Sequence, residues 1–209
     1  MYRIVLLTNL LFVFACYEEH KIPYYNNADF SPLFVSNKSD VDNIITHKIG
    51  DFSFVDQNKK VISQNDIEKK IHIANFIFTS CTSICPSMTN NMKIVDSAFH
   101  NNSRVKILSY SVTPWIDTPD RFKSYTKEYN ISSENWHFLT GSKNDIYKLA
   151  RESYFAEKSL GFSRDSTDFL HTEFFILVDG NKRIRGVYNG TLKLEALQAV
   201  EDIKELLNN

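Results

Sequence analysis

The chain has 209 residues, 43% of them hydrophobic and 13% aromatic, with only 6 glycines and 5 prolines. That is enough apolar side chain for one globular domain, and it excludes a disordered, collagen-like or disulfide-dense small protein. Lysine and arginine total 24 against 25 aspartates and glutamates, so no basic excess marks a nucleic-acid-binding protein, and three cysteines are too few for a disulfide scaffold.

Arg3 is the sole charge before Glu18. Between them Ile4 to Ala15 form an apolar run interrupted by Thr8 and Asn9. It falls short of the roughly 20 residues that a bilayer-spanning helix needs. The run reads as the apolar part of an export signal covering residues 1–15. It stops at Ala15-Cys16, and a small residue followed by cysteine resembles a bacterial lipoprotein signal. That resemblance implies lipidation of Cys16 as the new N-terminus, with acyl chains in a membrane and the domain in water on the periplasmic or other extracytoplasmic side. Residues 16–45 are polar and aromatic without a clear period, and are expected to form a tether followed by a docking segment.

Residues 46–209 read as one α/β domain. Phe52 to Asp56 alternate, Gln57-Asn58-Lys59-Lys60 turn, and Val61-Ile62 resume, which predicts a β-hairpin with Asn58 as the turn residue. Ser63 with Asp66 has the spacing of a helix capping pair. Ile71 to Phe78 is nearly continuous apolar sequence with β-branched residues, as expected of a strand buried on both faces. After Pro86, residues Met88, Met92, Val95 and Phe99 recur at helical spacing, so both methionines are read as core.

Val105 to Val112 predicts a second strand, Thr118-Pro119-Asp120 opens a helix to about Tyr129, and Asp117 and Asp120 read as a helix-start pattern. Trp136 to Leu139 is a short strand, and residues 143–154 read as helix. Glu173–Val178 and Ile184–Tyr188 form a hairpin around Asp179-Gly180-Asn181-Lys182, before an amphipathic helix from Leu192 to Leu207. Glu195, Glu201, Asp202, Lys204 and Glu205 are its expected solvated face. This order predicts a layered fold with a mixed central sheet, helices on both faces and a β-hairpin near the start.

Cys81-Thr82-Ser83-Ile84-Cys85-Pro86 lies between the buried strand and the first long helix. A helix start favours thiolate over thiol through its N–H groups and dipole. Two thiolates held together there can close a disulfide or bind a soft metal. Three residues between the cysteines, rather than two, leave more room for an ion. Of the six histidines, His20 and His47 lie in the tether region. His72 and His137 fall inside strands, and His100 ends a helix where the dipole explains it. His171, in the loop entering a core strand, is the candidate third ligand, and two sulfurs with one nitrogen suit copper, Cu(I) above all.

These segments resemble the Sco/SenC family, thioredoxin-like copper proteins linked to cytochrome c oxidase assembly. The resemblance runs from Phe-Ser-Phe-Val-Asp-Gln-Asn-Lys-Lys through Phe-Thr-Ser-Cys-Thr-Ser-Ile-Cys-Pro and Leu-Ser-Tyr-Ser-Val-Thr-Pro to Leu-His-Thr and Phe-Phe-Ile-Leu-Val-Asp-Gly. It implies a thioredoxin-like three-layer fold and a copper ion on Cys81, Cys85 and His171. The implied role is a metallochaperone serving the copper-accepting subunit of the oxidase or another copper or thiol protein. A redox-active Cys81/Cys85 pair acting as a thiol–disulfide oxidoreductase is the alternative. The chain departs from the family at Thr113-Pro114, where Asp-Pro is usual, so a carboxylate is missing from that position.

Overall fold

The computed structural model describes residues 21–156 and 172–208. The expected signal at 1–15, Cys16, His20 and His171 lie outside the described residues. The strands are β1 (Tyr24–Tyr25), β2 (Pro32–Leu33), β3 (Ser53–Val55), β4 (Val61–Ser63), β5 (Ile71–Ile77), β6 (Val105–Ser111), β7 (Trp136–Leu139), β8 (Phe174–Val178) and β9 (Ile184–Asn189). The helices are α1 (Val41–Ile44), α2 (Gln64–Ile67), α3 (Ile84–Phe99), α4 (Pro119–Glu128), α5 (Lys143–Lys148) and α6 (Lys193–Asn208).

All seven side chains of β5 are buried, which puts this strand in the middle of the sheet. The sheet order is β2-β1-β9-β8-β5-β6-β7. β5, β6 and β7 run parallel, whereas β8 is antiparallel to β5 and β9 to β8. Alternation along β5 divides the core. Ala74 and Phe76 face a cluster with Phe54, Ile62, Tyr110 and Tyr154, under the separate β3–β4 hairpin. Ile71, Ile73 and Ile77 face Met88, Met92 and Val95 of α3, Phe122 of α4 and Ala199 of α6. This is the expected mixed sheet with helices on both faces, and both methionines are core, fully shielded from water.

Local expectations mostly hold. Ser63 and Asp66 form a reciprocal capping box at α2. Asn58 lies in the turn of the first hairpin as expected, and the left-handed residue there is Lys59 (φ 63°). Gln57 locks that hairpin to β7, donating to the Trp136 carbonyl at 2.8 Å and accepting from the Phe138 N–H at 2.8 Å. The helix expected over 143–154 is α-helical only to Lys148 and widens to a π turn over Leu149–Ser153. Residues 21–45 add β1 and β2 to the β9 edge, with Tyr25 paired to Ile184. Asp202 does not belong to a solvated face: it is buried and accepts the Tyr188 hydroxyl at 2.5 Å. A tyrosine on a neighbouring strand supplies the donor that lets a helix carboxylate go inside.

His72 and His137 have buried structural roles. His137 Nδ1 meets Asp56 Oδ2 at 3.1 Å. His72 Nε2 meets the Tyr154 hydroxyl at 3.0 Å, which in turn meets the Tyr110 hydroxyl at 3.1 Å. Burial drives the His72 imidazole down from 6.5 to about 3, so the folded state keeps it neutral where the unfolded chain protonates it. Stability from this group is therefore present above about pH 6.5 and lost on acidification towards 3, at a limiting slope of about 1.4 kcal/mol per pH unit. Urea denaturation across that range is expected to show a shallower decline in His72→Phe than in the parent chain; equal slopes would contradict it.

Candidate dithiol centre

The central strand β5 ends at Ile77, and Phe78-Thr79-Ser80 carry the chain over the sheet edge to Cys81. Helix α3 begins at Ile84, which makes Cys85 its second residue and Pro86 its third, where a missing N–H has no helical acceptor to disappoint. Both cysteines are free thiols, Cys81 partly exposed and Cys85 buried. They hydrogen-bond each other, and their surroundings pull them apart chemically.

Partial burial acts to raise the Cys81 thiol. The N–H groups of Cys85, Ser83 and Ile84, with the Cys85 thiol as a further donor, outweigh that and hold Cys81 below its ordinary value. Cys85 goes the other way: burial above all, reinforced by the charges of Cys81 and Asp117, pushes it up to about 12. The helix start was expected to activate the pair; it activates only the sulfur placed before the first turn. Cys81 is thus the accessible nucleophile and Cys85 the protected second sulfur.

Behind the thiols sits a residue whose role the sequence did not reveal. Asp117 beside Thr118-Pro119 has the pattern of a helix-start carboxylate, yet the α4 N-cap is Thr118 and Asp117 is fully buried. Its Oδ1 accepts from Thr79 N–H at 3.2 Å and from Thr79 Oγ1 at 2.6 Å. Its Oδ2 accepts from Ser111 Oγ at 2.7 Å and Thr113 Oγ1 at 2.9 Å. Arg121 Nε closes the set by donating to Thr79 Oγ1 at 2.9 Å. Thr113, where the family usually has aspartate, is thus a donor to this carboxylate. The available signal was Ser111-x-Thr113 at a strand end facing Thr79 at the neighbouring strand end.

The loop that Asp117 anchors carries Trp115 and Ile116, which are 58% and 46% exposed, outward beside the site. Lys143 lies over the Trp115 ring at 5.3 Å. Among the described residues no group of three or more histidine, cysteine or acidic side chains gathers as a metal site. His47 is occupied elsewhere, with Nε2 at 2.7 Å from the Ser153 carbonyl, and His100 sits at the α3 C-terminus with Nδ1 at 3.2 Å from the Ser97 carbonyl.

A thiol pair of unequal character at the end of the central strand of a thioredoxin-like sheet has the chemistry to exchange disulfides or to bind a soft metal. The SCO1/SenC family pattern matches residues 43–208, and the chain belongs to that family. The structure of BsSco, described as a member of the Sco family of cytochrome c oxidase assembly proteins with a disulfide switch, is 31% identical. It has a TM-score of 0.65 over 77% of this chain and 93% of that one. A SCO1/SenC family lipoprotein from Bacillus anthracis is 29% identical, with a TM-score of 0.66 over 77% of this chain and 95% of that one. Bradyrhizobium japonicum ScoI, solved with copper bound, is 25% identical, with a TM-score of 0.59 over 75% of this chain and 98% of that one.

Two outcomes follow from this geometry. Iodoacetamide at neutral pH is expected to alkylate Cys81 well before Cys85, read by peptide mass; faster modification of Cys85 would contradict the assignment. Asp117→Ala strips the acceptor from four buried donors and is expected to cost about 3–5 kcal/mol in urea denaturation. A loss under about 1 kcal/mol would show that the carboxylate is not the tie described.

Proposed function

We propose that this protein is a copper metallochaperone in which Cys81 and Cys85 hold the ion as thiolates and His171 completes the site. The observation that carries this reading is the free dithiol with one sulfur already polarised by three N–H groups. Two thiolates select a soft ion, and an imidazole as third donor suits Cu(I). Thr172 and Phe174 enter β8 at the end of the sheet where β5 gives out, since Ala74 pairs with Ile176 and the two strands are antiparallel. His171 immediately precedes Thr172 in sequence. The copper in Bradyrhizobium japonicum ScoI supports the choice of ion. The proposed recipient is the copper-accepting subunit of cytochrome c oxidase, in keeping with the assembly role given for BsSco.

The split between the two thiols supports a second reading, dithiol exchange. The Cys81 thiolate attacks a partner disulfide and displaces one partner sulfur as thiolate. Cys85, losing its proton, then attacks Cys81 and displaces the other. The partner leaves with two thiols, and Cys81–Cys85 leaves as the disulfide, two electrons having passed to the partner. A disulfide has no thiolate to offer a metal, so the two activities alternate. The disulfide switch described for BsSco favours keeping this reading.

The proposed setting is extracytoplasmic, with Cys16 lipidated as the membrane anchor. The Bacillus anthracis relative is described as a lipoprotein, and no helix among the described residues is long and apolar enough to cross a membrane. Anaerobic Cu(I) titration of the reduced protein against a chromophoric chelator is expected to give one ion per chain. His171→Ala is expected to weaken binding, and Cys81→Ser to abolish it. Retention of full affinity in Cys81→Ser would overturn the copper site. Rapid reduction of a protein disulfide by a dithiol that takes up no copper would put the exchange reading first.

A further inference from the structure

We infer that the lipid anchor holds the domain by the end of the sheet opposite the dithiol, so that the groove edge at Phe34 rests on the bilayer and the Cys81–Cys85 loop faces away from it. The inference rests on the proposed lipidation of Cys16 and adds an orientation that lipidation alone does not give.

Lys21 to Tyr24 are held at one end of the sheet. The Ile22 and Pro23 carbonyls accept from Arg185 Nη2 and Nε at 2.8 and 3.0 Å, and the Arg185 guanidinium covers the Tyr24 ring at 3.8 Å. Arg185 lies at the start of β9, and Ile184, the first residue of that strand, pairs with Val178, the last of β8. Val178 in turn pairs with His72 at the start of β5. Lys21 shares a groove of about 280 Å³ with Phe34, Lys38 and Leu206, the last in the final turns of α6. The neighbouring groove joins Tyr24 and Leu206 to Ile71, the first residue of β5. Lys21 therefore lies near the beginning of β5, whereas the thiols follow its end.

Lengths decide between orientations. Five peptide steps separate Cys16 from Lys21 and span at most about 17 Å. The seven residues of β5 alone span about 23 Å, and Thr79-Ser80-Cys81 project further. A domain standing on its dithiol loop would lift Lys21 beyond the reach of its own tether. Standing on the opposite end needs no such reach, and it brings Phe34, 64% exposed beside Lys21 and Lys38, to the lipid surface. Glu205 lines the same groove as Lys21 and Lys38, so the contact depends on the acyl chains and Phe34 rather than on anionic headgroups. Among the described residues Trp115, also exposed, follows the end of β6 at the dithiol end.

Full-length protein purified from membranes and reconstituted in phosphatidylcholine vesicles with brominated acyl chains tests this, because bromine quenches tryptophan only within the bilayer. Phe34→Trp in a Trp115→Phe background is expected to lose most of its added fluorescence, while Trp115 in the parent chain is expected to keep its own. Quenching of Trp115, or none at position 34 in protein whose mass carries the acyl groups, overturns the orientation and leaves the anchor standing. Protein whose mass shows an unmodified Cys16 overturns both. In vesicles that also contain anionic phosphatidylglycerol, equal quenching at position 34 in low and high salt supports the acyl-and-Phe34 contact; loss in high salt overturns it in favour of headgroup attraction.

Discussion

One buried carboxylate ties the dithiol loop to the rest of the molecule. β5 and β6 end side by side, and each would release its next residues into solvent if nothing held them. Asp117 accepts from Thr79 beyond β5, from Ser111 at the end of β6, and from Thr113 in the loop that follows. A bare carboxylate at that depth would be very costly, and the four donors are what make it tolerable. The same charge lies close enough to Cys85 to help keep that thiol protonated. One interaction thus fixes the position of the loop and contributes to the inequality of its sulfurs.

That inequality is the chemistry of the site. Cys81 sits where N–H groups converge and Cys85 where water is excluded, so the pair offers one ready nucleophile and one sulfur that must be drawn out by a partner or an ion. Both proposed activities use this arrangement. Metal capture replaces the second thiol proton by a cation; exchange replaces it by a sulfur–sulfur bond. The Trp115–Ile116 loop, fixed by Asp117, is exposed. With the proposed anchor at the far end of β5, the site would be presented away from the lipid.

Much of this was legible in the residues. The unbroken apolar run of β5 announced a central strand, Met88 to Phe99 announced the helix behind it, and Ser63 with Asp66 marked a start that the structure realises as a capping box. These signals are local, and burial on both faces leaves a periodicity anyone can count. What escaped depends on partners distant in sequence. Asp117 is buried because Thr79 waits 38 residues earlier, and Asp202 because Tyr188 lies across the sheet edge. A carboxylate beside Thr-Pro looks like a cap, and one on a polar helix face looks solvated, until the donors are in place. The opposite shifts of Cys81 and Cys85 escaped for the same reason, since spacing placed both near a helix start and only packing shows which one the N–H groups reach.

The central claim is that both sulfurs serve one ion with an imidazole beside them. X-ray absorption at the copper edge of the Cu(I)-loaded protein addresses it most directly. The account predicts a first shell of two sulfurs and one imidazole nitrogen, with the imidazole scattering lost in His171→Ala. A shell of oxygen and nitrogen without sulfur, or a shell unchanged by that substitution, would contradict it.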